Sequence, residues 1–138
     1  MRVLLGHESL IEEALTHLDL DWVEHPAVRR LLACRFAHFT AGDSPTLPLL
    51  LAEVNDEVAT RLATEAASQE VPAEEAAQIL MDAIRWLRNQ SINHELARLT
   101  RRISDPATSP DERVRAIQRQ LELRQARMAP LHRRTSSA

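Results

Sequence analysis

The sequence predicts an all-α protein in which an N-terminal helical bundle is joined by one long helix to a C-terminal antiparallel helical hairpin. Three observations predict this class. The 138-residue chain is rich in Ala, Leu, Glu and Arg but has only 2 Gly, 2 Phe and no Tyr, a composition that favours helices over strands. Its apolar residues recur at steps of three and four. Residues that start or stop helices separate the periodic segments.

The longest periodic segment runs from Pro72 to Ser104 and predicts a helix of about 32 residues, roughly 48 Å long. Pro72 suits the first helical position because the N–H that it lacks would be unbonded there. Glutamates in the first turn and arginines in the last turn complement the helix dipole. Pro106 prevents the helix from continuing.

The apolar stripe of this long helix changes direction near its middle. The stripe steps by five residues from Leu87 to Ile92, and the position that would continue its first half is Ser91. A five-residue step turns the stripe by about 140°, whereas a four-residue step turns it by about 40°. The two halves are therefore expected to pack on different partners.

The change of direction divides the chain into predicted domains. Residues 1–88 are expected to form a helical-bundle subdomain, and residues 89–129 a helical hairpin subdomain that shares the long helix 72–104. Residues 130–138 are expected to be a disordered tail. Poor helix formers with no apolar partner mark a predicted hinge between the subdomains. They are Asn89, Ser91 and Asn93.

Five shorter helices are predicted before the long one, each marked by a residue that starts or ends it. They are a helix over residues 2–6 ended by Gly6, one capped by Ser9 and Glu12, one from Pro26 to Gly42, one opened by Ser44 and Pro45, and one capped by Asn55 or Asp56. Trp22 is expected to plug the core where two helices meet. Val58 and Leu62 are expected to face inward.

The last helix is predicted to be capped by Ser109, to begin at Pro110 and to end before Pro130. A short turn joins it to the long helix, so the two should fold back as an antiparallel pair. Its apolar stripe is expected to pack on the second half of the long helix. This stripe is Val114, Ile117, Leu121 and Met128, facing Ile103, Leu99, Leu96 and Ile92. Leu123 lies off this stripe and is expected to be exposed among arginines.

Charge is divided unevenly along the chain, although the net charge is only −3. Residues 1–82 hold 15 acidic residues and 5 arginines, whereas residues 83–138 hold 5 acidic residues and 12 arginines. An acidic body with a basic arm favours an interaction role for the arm. No apolar run approaches the 18 residues of a membrane span, so no membrane partner is expected.

The sequence contains no credible active site, and no catalytic, cofactor-binding or metal-binding residue is predicted. Two glycines do not make a phosphate-binding loop, and the 6 histidines are scattered without a shared metal-ligand spacing. Cys34 lies in an apolar helical stretch and is expected to be a buried, inert thiol. Neither a cofactor nor a small-molecule substrate is expected.

The hairpin is the predicted binding region, with a protein partner favoured over nucleic acid. Arginine can neutralise phosphates, but residues 89–129 contain no Trp, Phe or Tyr on which bases would stack. Nucleic acid is therefore the secondary alternative. The predicted partner-binding residues are Arg101, Arg102, Arg115, Ala116, Arg119, Gln120, Leu123 and Arg127.

A resemblance to a known family sharpens this prediction. The segments RWLRNQSINHELARLTRRI and SPDERVRAIQRQLELR resemble the C-terminal helicase-binding domain of bacterial DnaG-type primase. The segments VLLGHESLIEEALTHL, PAVRRLLACRFAHF and PLLLAEV resemble the opening helices of the same domain. The resemblance covers nearly the whole chain and consists of a pattern of apolar helical residues. The turn SDPATSPDE is longer than that family's pattern.

The resemblance implies a non-catalytic, cytoplasmic bacterial domain whose hairpin docks on the N-terminal domains of the replicative hexameric helicase, coupling primer synthesis to unwinding. The zinc-binding and polymerase domains of the primer-synthesising RNA polymerase would lie outside this chain, which would then be an excised domain or a fragment. Two alternatives stay open. The N-terminal domain of the replicative helicase is similar in fold and would self-associate, and a basic helical module would bind nucleic acid.

Overall fold

The structure is a computed structural model that describes residues 8–131, and the secondary structure within this range is entirely helical. This confirms the predicted all-α class. The described range contains six α-helices and two short 3₁₀ turns. The α-helices are α1 (Ile11–His17), α2 (Pro26–Thr40), α3 (Leu47–Val54), α4 (Glu57–Ala67), α5 (Ala73–Ser104) and α6 (Pro110–Met128), and the turns are Glu8–Leu10 and Leu20–Trp22.

Several helices begin and end where local signals place them. Pro26 and Pro110 occupy the first positions of α2 and α6. Ser109 caps α6 in a capping box, in which the Glu112 N–H donates to Ser109 Oγ at 3.2 Å. After α2 the chain turns at Gly42, whose φ of +82° lies in the left-handed region that favours glycine. These predictions are confirmed.

Two predicted helix starts are wrong. Ser9 does not cap α1, because the 3₁₀ turn Glu8–Leu10 precedes that helix and Leu10 takes the N-cap position without a side-chain hydrogen bond. Likewise α3 does not start at Ser44 and Pro45 but after Thr46, with Pro48 tolerated in its first turn. The helix predicted over residues 2–6 lies outside the described residues, as do residues 132–138 of the tail predicted over residues 130–138.

The chain divides into two compact units, of which the first extends to Ile84 and the second begins at Arg85. In the first unit α2 is central, since it packs against α1, the turn Leu20–Trp22, α3 and α4. Leu31, Leu50 and Ala63 form a buried cluster that joins α2, α3 and α4. Burial of such side chains contributes about 1.5–3 kcal/mol for each large one.

The inward face of α4 differs from the prediction. Val58 is 38 % exposed and Leu62 is only partly buried, while Ala59 and Ala63 are buried completely. Small alanine side chains let the backbone of α4 approach its neighbours closely, and the bulkier Val58 is left at the rim. Trp22, predicted as a core plug, is half-buried.

The second unit contains the last five turns or so of α5 and the whole of α6. Its cross-helix hydrogen bonds run in antiparallel order, because later residues of α6 meet earlier residues of α5. Gln120 Nε2 donates to Thr100 Oγ1 at 2.9 Å, and Arg127 Nη1 donates to Asn93 Oδ1 at 2.8 Å. At the turn between the helices, the Thr108 hydroxyl donates to the Arg102 carbonyl at 2.6 Å.

The face that α6 buries is not the one predicted. The side chains buried in the second unit are Ala116, Gln120 and Leu123, and the predicted stripe is on the exposed side. Exposed fractions along that stripe are 55 % for Val114, 46 % for Ile117, 54 % for Leu121 and 85 % for Met128. The observed rotation of α6 satisfies hydrogen bonds between polar groups of the two helices, which a count of apolar residues does not consider.

The buried row of α5 does not make the five-residue step from Leu87 to Ile92 that the sequence predicts. The buried row continues in steps of four from Ile84 through Arg88 to Ile92, and the helix runs uninterrupted from Ala73 to Ser104. Arg88 is only 8 % exposed. Its guanidinium donates to the carbonyls of Ala129 at 2.8 Å and Arg127 at 3.2 Å. Arg88, a charged residue between Leu87 and Ile92, therefore continues the row where the sequence predicted a break.

None of the helices within residues 8–131 combines the length and the apolar composition that a membrane crossing requires.

Candidate partner-binding surface

The structure separates the eight predicted partner-binding residues by burial. The five arginines (Arg101, Arg102, Arg115, Arg119 and Arg127) are exposed on the second unit. Ala116, Gln120 and Leu123 are buried against α5, with Leu123 only 5 % exposed. The prediction that Leu123 is an exposed apolar anchor is wrong, because α6 turns this residue towards α5. Direct contact of Gln120 or Leu123 with a partner would require α6 to move.

Part of the predicted set lines one shallow groove of about 200 Å³ between α5 and α6. The residues around it are Leu99, Arg102, Glu112, Arg115, Ala116 and Arg119. The groove thus brings together four of the eight predicted partner-binding residues: Arg102, Arg115, Ala116 and Arg119. Leu99 and Ala116 supply an apolar floor, and the arginines supply a basic rim.

Carboxylates from the same unit partly neutralise this rim. Arg119 Nε lies 3.1 Å from Glu95 and its Nη1 lies 3.2 Å from Glu122. These hydrogen bonds, the one to Glu95 first, raise the pKa of Arg119. Arg102 lies at 3.9 Å from Glu112. The groove is consequently less basic than its arginine content suggests, and such exposed pairs contribute little to stability.

The most prominent surface feature of α6 is the apolar stripe that was expected to be buried. At 100° per residue its four side chains fall within about 60° of one another on the helix. These are Val114, Ile117, Leu121 and Met128, and we call them the α6 stripe. Arg124, also exposed, lies beside it. Four large apolar side chains aligned on one helix differ from the single exposed leucine that is normal on protein surfaces.

The predicted hinge residues lie within continuous α-helix. Asn89 Oδ1 accepts a hydrogen bond from Arg88 Nε at 3.2 Å, and Asn93 accepts one from Arg127. Ser91 is partly buried. Two of the three side chains are therefore engaged within the second unit, and a hinge at these positions stays a prediction.

Sequence reasoning missed a group of potential metal ligands in the first unit. Cys34 and His38 on α2 and Glu53 on α3 each offer a ligand atom, and these atoms all lie within 4.8 Å of one another. A signal was present in the sequence, since Cys34 and His38 are four residues apart and share a helix face. Glu53 carried no such signal, because only the packing of α3 on α2 brings it to them.

Comparison of the chain with protein-family models, with curated protein sequences and with solved structures gave no significant match.

Proposed function

We propose that this chain is a non-catalytic protein-interaction domain, arranged as an N-terminal helical bundle and a C-terminal helical hairpin, that binds a protein partner through α6. The observation that carries the proposal is the α6 stripe. Water-exposed apolar surface of this kind marks interaction sites on soluble domains. Arginine beside apolar side chains is a common composition for protein interfaces.

The α6 stripe replaces Leu123 as the apolar anchor of the predicted interface. Its members are three, four and seven residues apart, which is the spacing by which a helix presents one face to a groove. The exposed arginines of the same helix flank the stripe: Arg124 lies directly beside it, and Arg115 lies about 100° around the helix from Val114. They would form a charged rim around an apolar centre, which speeds encounter with an acidic partner.

The partner that we propose is the N-terminal domain of a bacterial replicative hexameric helicase. This identification rests on the resemblance of the sequence to the helicase-binding domain of DnaG-type primases, with α6 as the docking helix. In that role the chain brings a primer-synthesising enzyme to the site of unwinding and itself performs no chemistry.

The test is a binding measurement between the purified chain and a purified helicase N-terminal domain, by calorimetry and gel filtration. Micromolar binding is expected for the wild type. Ile117→Asp and Leu121→Asp should each weaken it at least about tenfold, because a carboxylate would be buried in an apolar contact. Ala126→Asp is the matched control, since it adds the same charge at an exposed position on another face of α6. Melting temperatures should stay close to the wild type in all three variants.

Three outcomes would redirect the proposal. Absence of wild-type binding at tens of micromolar would overturn the helicase as partner. Self-association that Ile117→Asp abolishes would instead support a helicase N-terminal domain. Binding to a DNA oligonucleotide that falls steeply with salt and is lost in an Arg101, Arg102 and Arg115 triple substitution would support a nucleic-acid-binding module.

A further inference from the structure

We propose that Cys34, His38 and Glu53 form a binding site for a divalent transition metal ion in the first unit, with Zn²⁺ as the best-fitting ion and Asp43 as the residue that orients His38. This site is independent of the partner-binding surface, which belongs to the second unit.

The geometry of the group comes from two packed helices. Cys34 and His38 lie one turn apart on α2 and project from the same face, and Glu53 approaches from α3. The buried cluster of Leu31 and Leu50 holds these two helices together. The backbone positions of the three ligands are therefore set by the core and not by the ligands themselves, which is the support that a preformed site needs.

The three donor atoms suit zinc in kind. Thiolate sulfur, imidazole nitrogen and carboxylate oxygen are the ligands that Zn²⁺ takes in proteins. A thiolate selects against Mg²⁺ and Ca²⁺, which prefer oxygen. Three protein ligands would leave the fourth tetrahedral position to water, and the partial exposure of all three residues gives solvent access to that position.

The three donor atoms lie within 4.8 Å of one another and need adjustments of about 1 Å to reach the spacing of zinc ligands. Bond lengths of about 2.0–2.3 Å around a tetrahedral zinc place ligand atoms about 3.3–3.6 Å apart. Here His38 Nε2 and Glu53 Oε2 lie 2.5 Å apart, so they must separate by about 1 Å to admit the ion. The Glu53 side chain is 57 % exposed and can supply this movement by rotation about its own bonds.

Asp43 lies at ion-pair distance from the second ring nitrogen of His38, where its carboxylate favours the orientation that a metal ligand requires. Its Oδ2 lies 3.6 Å from His38 Nδ1, on the ring side opposite Glu53. The turn at Gly42 brings it there, and the Asp43 N–H donates to the His38 carbonyl at 2.8 Å. A carboxylate that favours a proton on Nδ1 leaves the Nε2 lone pair for the metal, an arrangement common around zinc-binding histidines.

Without metal the same groups form a hydrogen-bonded set. The bond to Glu53 raises the pKa of His38, and burial together with Glu53 raises the pKa of the Cys34 thiol. Zn²⁺ would displace the thiol proton of Cys34, and the proton on His38 Nε2 where the imidazole is charged. Both protons pass to solvent while the carboxylate of Glu53 exchanges its hydrogen bonds for the ion. Charge is conserved, and no oxidant or reductant is involved.

The experiment is titration of the reduced full chain with Co²⁺, followed by absorbance. A near-ultraviolet thiolate-to-cobalt band and the visible bands of a tetrahedral site are expected, saturating at one ion per chain and removed by Zn²⁺. Cys34→Ser should abolish the thiolate band. His38→Gln and Glu53→Gln should each weaken binding at least about tenfold, and Asp43→Asn about tenfold to a hundredfold. His94→Gln, at an exposed histidine of the second unit, is the matched control.

A second measurement distinguishes loss of the metal site from loss of the fold in a variant. Because an ion that binds only the folded chain stabilises it, Zn²⁺ should raise the melting temperature of the wild type and of His94→Gln but not of Glu53→Gln. The proposal is overturned if no thiolate band develops at millimolar Co²⁺. It is equally overturned if the band survives unchanged in folded His38→Gln and Glu53→Gln, since Cys34 would then bind cobalt adventitiously.

Discussion

Arg88→Met should destabilise the second unit, because Arg88 holds the C-terminal end of α6. Arg88 is only 8 % exposed, and its guanidinium donates two hydrogen bonds to carbonyls at the end of the helix, those of Ala129 and Arg127. These carbonyls have no partner within their own helix. The positive charge also lies at the negative end of the α6 dipole. Methionine keeps most of the length and apolar stem of arginine while removing both donors.

The magnitude follows from the hydrogen bonds and their surroundings. A bond from a charged donor contributes about 1.5–3 kcal/mol net, and an unsatisfied buried acceptor costs about 1–3 kcal/mol. Two effects reduce the loss. Water can reach the end of α6, and burial, which removes solvation from the charge, lowers the pKa of Arg88. We therefore expect a loss of about 1–3 kcal/mol, or roughly 3–10 °C in melting temperature.

The assay compares urea unfolding of Arg88→Met with that of Arg98→Met. Arg98 is an exposed arginine on the same helix, so its substitution makes the same chemical change without the two hydrogen bonds. Arg98→Met should alter the free energy of unfolding by less than about 0.5 kcal/mol. Amide exchange should also accelerate in the last turn of α6 only in Arg88→Met. Equal effects of the two substitutions, or unchanged exchange near Ala129, would refute this account of Arg88.

Leu123→Ala should lower the free energy of unfolding in urea by about 2–4 kcal/mol, because Leu123 is buried. Leu121→Ala on the exposed stripe should lower it by less than about 1 kcal/mol. The reverse order would show that α6 is rotated as the sequence suggested. Ser109→Ala should cost about 1 kcal/mol through loss of the capping box, seen as a lower urea midpoint, and an unchanged midpoint would contradict the role of the cap. The His38–Glu53 pair should stabilise the metal-free chain most between pH 4.5, the ordinary pKa of Glu53, and pH 6.5, that of His38. Its contribution should disappear as pH rises through the raised pKa of His38 or falls through the lowered pKa of Glu53. The melting temperature of the wild type minus that of Glu53→Gln, measured across pH in a chelator, should follow this window; a difference independent of pH would exclude an ion pair.

The sequence predicted helix ends well where the signal is confined to one turn. Pro26, Pro110, Ser109 and Gly42 act through their own backbone torsions or through hydrogen bonds to residues two or three positions away. No tertiary contact is needed for these effects. The start of α1 was predicted wrongly because Ser9 lies in a 3₁₀ turn. The tighter winding of that turn displaces the N-cap by one residue, to Leu10.

The candidate sites were less predictable because they depend on neighbours distant in the chain. Apolar periodicity favoured Ile117 and Leu121 as the buried side of α6, yet the less apolar side is buried. Gln120 identifies that side only once Thr100, 20 residues earlier, is known to lie opposite it. Arg88 is a similar case, since its acceptors lie 39 and 41 residues away.

The sequence by itself determined the all-α class, the order of the helices and most of their ends, because these depend on torsions and hydrogen bonds within a few residues. Only the tertiary structure decided which side of α6 meets water and which carboxylate meets Cys34 and His38. Both depend on how one helix is rotated against another. That rotation is selected by the sum of apolar burial and hydrogen bonding across the contact, and neither helix encodes it alone.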